Sequence, residues 1–92
     1  MGLVVAICCF TTFAEAAPLE EGAQYESGWT PEHAQAIAND VSYLIKQAGY
    51  RCDTVSSVLK WFWGVGFNVN CNNHRYSYEI EDQGGNWVAK LK

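Results

Sequence analysis

Few residues in this chain are of the type and spacing that chemistry needs. His33 and His74 are its two histidines. Neither has a nucleophile or a second ligand at motif spacing, so each reads as a solvated surface imidazole. Glu79, Glu81 and Asp82 cluster just before Gly84-Gly85. Such carboxylates could form half of a Ca²⁺ site or an acid/base pair. Strand alternation, however, sets Glu79 and Glu81 on one face and Asp82 on the other. The plainer reading is a salt-bridged, solvated strand face. Ser56-Ser57 has no nucleophile elbow around it, and no HExxH, GxSxG, P-loop or GxGxxG run is present. The expectation is no catalytic residue, no metal ligand and no cofactor. The catalytic alternative is a small secreted hydrolase using one of those carboxylates with His74, and a third reading is a purely structural or stress-tolerance protein with no discrete ligand.

Trp61-Phe62-Trp63 is the more informative run. Three consecutive aromatics in or near a strand cannot all face one core. With Trp61 packed inward, Phe62 and Trp63 project at a loop tip before Gly64. Paired aromatics on a rigid hairpin can fill a partner's pocket or stack on a sugar. The competing reading folds them over the helix end, against Trp29 or Tyr50. Asn68, Asn70 and Asn72 recur every second residue and form a polar ladder. It either hydrogen-bonds a glycan or simply keeps a sheet face wet.

The elements that position these residues follow from punctuation and periodicity. Thr30 is suited to an N-cap, Pro31 to the first helical position, and Glu32 to the positive end of the dipole. Ala34, Ile37, Ala38, Val41, Leu44, Ile45 and Ala48 make one apolar stripe, closed by Gly49. Gly84-Gly85 marks a two-residue hairpin that sets Ile80 against Ala89, Tyr78 against Leu91 and Glu79 against Lys90. A turn at Asn73-His74 sets Cys71 against Tyr76, Val69 against Tyr78 and Phe67 against Ile80. The strand before it has two solutions. A Phe62-Trp63-Gly64 loop pairs Leu59 with Phe67 and Val55 with Cys71, whereas direct pairing of the cysteines turns Thr54, Ser56 and Val58 inward. The expected fold is α+β: one N-terminal helix on a four-stranded antiparallel meander.

The chain has 92 residues, 17% charged and 14% aromatic, with a formal charge of −4. That is one small packed domain, and its acidic balance excludes an electrostatic nucleic-acid binder. Leu3 to Phe13 is an apolar run too short to span a bilayer, followed by Ala14-Glu15-Ala16, an A-x-A cleavage signal. Residues 1–16 therefore read as a signal peptide, although Met1-Gly2 lacks the usual basic start. Ile7 before Cys8, and Cys8 before Cys9, make a poor lipoprotein site. Residues 17–29 show no periodicity and read as a mobile lead-in, leaving residues 30–92 as the domain. Export leaves Cys52 and Cys71, for which a disulfide is the default. Closing that roughly 20-residue loop contributes about 3 kcal/mol in the chain-entropy model. Cys52 is expected in the loop after Gly49, curling under the sheet edge to reach Cys71.

Cys52-Asp53-Thr54-Val55-Ser56, Gly66-Phe67-Asn68-Val69-Asn70-Cys71-Asn72, and Tyr76-Ser77-Tyr78-Glu79-Ile80-Glu81-Asp82 with Gly84-Gly85 and Trp87 together resemble a group of small exported bacterial proteins. The resemblance covers roughly residues 52–92. It implies export, the disulfide and a compact α+β domain, and it implies no catalytic residue. By architecture alone, a helix followed by a meander is also similar to exported PepSY-type modules. The functional expectation is a non-enzymatic binding or accessory module of the cell envelope, periplasmic or extracellular, with a protein or glycan partner. Phe62 and Trp63 are its expected contact anchors, and the last strand offers an edge for β-augmentation. No nucleic-acid partner and no membrane span after signal cleavage are expected, and oligomeric state is left open.

Overall fold

The computed structural model describes residues 17–62 and 64–92. The signal-peptide and lipidation readings at residues 1–16, and the anchor role of Trp63, fall outside them. The element order is β1 (Leu19–Tyr25), α1 (Pro31–Gln47), β2 (Val55–Lys60), β3 (Gly66–Cys71), β4 (Tyr76–Gln83) and β5 (Asn86–Leu91).

The strands form one sheet in the order β1-β2-β3-β4-β5. The four-stranded antiparallel meander expected from sequence is therefore corrected to a five-stranded mixed sheet. β1 lies parallel to β2, and the other neighbours are antiparallel. Residues 17–29 hid this strand because β1 is an irregular edge. Its register shifts between Leu19 and Gln24, where Gly22 takes a φ of +80°. A bulged edge strand carrying Glu20 and Glu21 lacks the period-two signal of a regular one.

α1 begins where its punctuation says. The Thr30 side chain accepts a hydrogen bond from the His33 N–H at 3.1 Å, and Pro31 opens the first turn. At the other end the Gly49 N–H donates to the Lys46 carbonyl and the Tyr50 N–H to the Ile45 carbonyl. That is a Schellman closure, with Gly49 at a φ of +91°. Ala34, Ala38, Val41 and Ile45 face the core, Ile37 and Leu44 flank it, and Ala48 is exposed.

Across β3, β4 and β5 the register matches the sequence-derived pairing residue for residue, including Cys71 with Tyr76, Phe67 with Ile80 and Ile80 with Ala89. β2 adopts neither of its two expected alignments throughout. Val55 pairs with Cys71, but a bulge between Val55 and Ser57 then sets Val58 against Val69 and Leu59 against Asn68. The extra residue reverses the facing of the strand, so Val55 and Val58 are both buried in the core. Cys52 sits ahead of β2 in the loop after Gly49 and is bonded to Cys71, with Cα atoms 5.1 Å apart. Because β2 begins only at Val55, strand alternation does not govern Cys52, and a Val55–Cys71 pairing coexists with the Cys52–Cys71 bridge.

Trp61 departs from its expected inward position. It continues the β2–β3 ladder, its N–H donating to the Gly66 carbonyl at 2.9 Å. Its ring occupies the space that a Cβ on Gly66 would take. Gly66 shares the side of β3 that carries Asn68 and Asn70, so Trp61 covers the sheet face away from α1. Trp87, stacked on Phe67, is 39% exposed.

Candidate functional site

Two arrangements stand out from the scaffold: a polar clasp at one end of the sheet and an apolar groove beside α1.

The clasp is built on Glu20, which sequence reasoning did not single out. Its Oε2 accepts hydrogen bonds from Thr54 Oγ1 at 2.6 Å, Ser56 Oγ at 2.8 Å and the Asn73 N–H at 2.8 Å. Ser56 Oγ in turn accepts from the His74 N–H at 2.9 Å. These bonds converge on a β3–β4 turn in which Asn72, Asn73 and His74 have φ of 56°, 55° and 62°. Left-handed backbone costs a non-glycine residue about 1–2 kcal/mol, less for Asn. Asn72 helps hold it, its Oδ1 accepting from the Asp53 N–H at 2.8 Å and the Thr54 N–H at 3.2 Å. The hydrogen bond from Thr54, then that from the Asn73 amide, lower the Glu20 pKa from its ordinary 4.5 against the opposing effect of desolvation, and the nearby His74 acts in the same sense.

Every hydrogen bond of the clasp ties one segment of the chain to another. The single hydroxyl proton of Ser56 is directed at a carboxylate, and the side chain is 1% exposed. So buried a hydroxyl is closed to solvent, and its hydrogen bonds run to other parts of the chain. His74, at the β3–β4 turn, enters the network through its backbone N–H. The carboxylates weighed with it lie elsewhere. Asp82 Oδ1 accepts from the Gly85 N–H at 2.8 Å, at the far end of β4. Glu81 pairs with Lys90 at 3.0 Å, and hydrogen bonds from Gln83 and Lys90 lower its pKa. The backbone of Lys90 does lie opposite Glu79, as expected, but its ammonium reaches Glu81 instead. Two rungs of the asparagine ladder, Asn70 and Asn72, are used internally: Asn70 Nδ2 donates to Ser57 Oγ at 2.9 Å, and Ser77 Oγ donates to Asn70 Oδ1 at 2.6 Å.

The groove is the arrangement open to a ligand. It lies between the Ile37–Leu44 flank of α1 and the Phe67 and Trp87 rings, with a volume of about 450 Å³. Asp40, Val41 and Tyr43 complete its lining, so a single carboxylate sits in an otherwise apolar and aromatic wall. Phe67 and Trp87 stack with centroids 6.1 Å apart, and Trp29 leans on Phe67 at 6.4 Å. The floor is thus held by ring packing that a ligand need not organise. Tyr43, at 51% exposure, and Trp87 form its accessible rim. Pockets of this size and polarity are of the kind that hold small ligands or a partner's apolar side chains. Sequence periodicity placed Leu44 and Phe67 on facing core surfaces. It gave no sign that the two would leave a gap between them.

Of the sequence-derived anchors, Phe62 is 89% exposed beyond the end of β2. Among the described residues no cluster of His, Cys, Asp and Glu could hold a metal ion, and no helix is long and apolar enough to cross a membrane. No family model, no curated protein and no solved structure matches this chain.

Proposed function

We propose that the chain is an exported, disulfide-bonded binding module of the cell envelope, and that its ligand seat is the groove between α1 and β5. The observation that carries this reading is the groove itself: an open, aromatic-floored concavity with one carboxylate in its wall. Its lining favours a protein partner that contributes apolar side chains over a glycan. Phe62, exposed on the β2–β3 connection, is a second contact for the same partner. The module is non-enzymatic in this reading, with Ser56, Glu20 and His74 serving the fold.

Export is supported by the Cys52–Cys71 bridge, which needs an oxidising compartment. The position of Ala17 bears on where the leader would be cut. That residue is fully buried, and its carbonyl accepts from Gln35 Nε2 at 3.1 Å. Cleavage after Ala16 retains this anchor, whereas cleavage one residue later removes a core side chain.

The test is capture from a periplasmic or extracellular fraction by immobilised mature protein, comparing the wild type with Tyr43→Ala, Trp87→Ala and Phe62→Ala. All three side chains are at least 39% exposed, so the fold should survive, as circular dichroism and non-reducing mass would verify. Loss of an anchor should weaken binding by about tenfold or more. Capture unchanged in both groove variants refutes the groove as the seat.

A further inference from the structure

The two edges of the sheet are built differently. β1 is irregular, with a register shift, a left-handed Gly22 and the acidic pair Glu20-Glu21, features that discourage another strand from adding there. β5 has no register shift, no left-handed residue and no acidic pair, and its one charge, Lys90, is paired with Glu81 of β4. It pairs with β4 without a bulge from Asn86 to Leu91 and contains no proline. On the helix side it carries only Trp87, Ala89 and Leu91, the first 39% and the last 56% exposed.

The hydrogen-bond phase of β5 is fixed. The Lys92 N–H donates to the Ser77 carbonyl at 3.0 Å, and Gln83 pairs with Asn86 across the Gly84-Gly85 turn. In an antiparallel ladder, bonded pairs alternate, so Asn86, Val88, Lys90 and Lys92 direct their backbone groups at β4. The N–H and C=O of Trp87, Ala89 and Leu91 therefore point away from β4, along the free edge. The residues with free backbone groups are the residues with the apolar side chains.

We infer that β5 pairs antiparallel with β5 of a second copy of this chain, about a two-fold axis through Ala89. A two-fold axis normal to the sheet keeps both α1 helices on the same side and requires facing residues to have the same orientation. Three registers overlap residues 86–92 of the two copies over five or more positions, those centred on Val88, Ala89 and Lys90. Centring on Lys90 opposes two like charges. Centring on Val88 places Leu91 opposite the partner's Gly85, in a turn, and forfeits its bonds. Centring on Ala89 lets Trp87, Ala89 and Leu91 each exchange both backbone bonds with the second copy. It also sets Trp87 against Leu91 on the helix side and Val88 against Lys90 on the other, with no like charges opposed. The two exposed apolar side chains of the edge thus cover each other in the one register that uses every free backbone group. This pairing brings both grooves to one junction beneath the two helices. For what the grooves hold it rests on the proposed function; for the pairing itself it rests on the edge alone.

The test is sedimentation of the mature protein together with a cysteine scan of the edge. The wild type should sediment as a dimer and Ala89→Pro as a monomer, because that proline removes an outward N–H and no β4–β5 bond. Ala89→Cys should cross-link across the axis on mild oxidation, since bonded antiparallel pairs have Cα atoms about 5.5 Å apart, within disulfide reach. Should Ala89→Pro fail to fold, the cross-linking decides. A monomeric wild type, a dimeric Ala89→Pro, or cross-linking of Val88→Cys or Lys90→Cys in place of Ala89→Cys overturns the proposal. A monomer whose partner capture still depends on Tyr43 removes the pairing and keeps the groove. A dimer that captures nothing does the reverse.

Discussion

Glu20 is the residue on which the polar end of the molecule turns. One carboxylate oxygen ties β1 to Thr54 and Ser56 and to the left-handed β3–β4 turn. Because folding lowers its pKa, its stabilising contribution is complete above the ordinary value of 4.5 and is lost as pH falls through the lower folded value. Glu20→Gln should therefore lower the urea midpoint at neutral pH and flatten the acid limb of stability below pH 4.5. Parallel wild-type and Glu20→Gln curves across that limb would exclude the clasp. Ser56→Ala removes the acceptor of the part-buried His74 N–H and should cost about 1 kcal/mol in equilibrium unfolding. None of this was legible in the sequence. Glu20 meets its partners across sequence separations of 34 to 53, and nothing local distinguishes it from Glu21. Tyr78 is the contrasting case. Its place on the inner face was readable from alternation, and burial raises its pKa while its hydroxyl donates to the Arg51 carbonyl at 2.7 Å.

Among the elements, β3 and β2 show how a single residue sets a strand's facing. A Cβ on Gly66 would lie 2.6 Å from Cδ2 of Trp61 and 2.7 Å from the Ile80 carbonyl oxygen. The carbonyl is backbone and cannot swing aside, so Gly66→Ala should cost about 1–3 kcal/mol. It should also shift the Trp61 contribution to fluorescence, and a variant with native midpoint and emission would show that Trp61 does not lie over Gly66. The hairpins on either side of β4 were readable because each turn and each alternating strand specified one register. β2 was not, because its bulge makes one half obey one pattern and the other half its opposite. β1 fails the same reading for a related reason: its irregular pairing erases the period that marks a strand.

At the scale of the whole molecule, the disulfide joins the loop after α1 to the end of β3 across a separation of 19 residues. Reduction, or the Cys52→Ser/Cys71→Ser pair, should lower stability by about 3 kcal/mol through the loop entropy of the unfolded chain. Thermal unfolding with and without reductant measures it, and an unchanged midpoint would deny the bridge its role. The sequence by itself determined α1 and its caps, the registers of β3, β4 and β5, and the pairing of Cys52 with Cys71. Each depends on local propensity, on turn chemistry or on Cys52 and Cys71 being the two cysteines outside the apolar N-terminal run. Tertiary structure alone decided the fifth strand, the Glu20 clasp, the outward face of Trp61 and the groove beside Trp87. Those depend on distances between residues far apart in the chain, and on how completely a helix fills the surface beneath it. Periodicity names the residues that face inward, but only packing shows where they fail to meet.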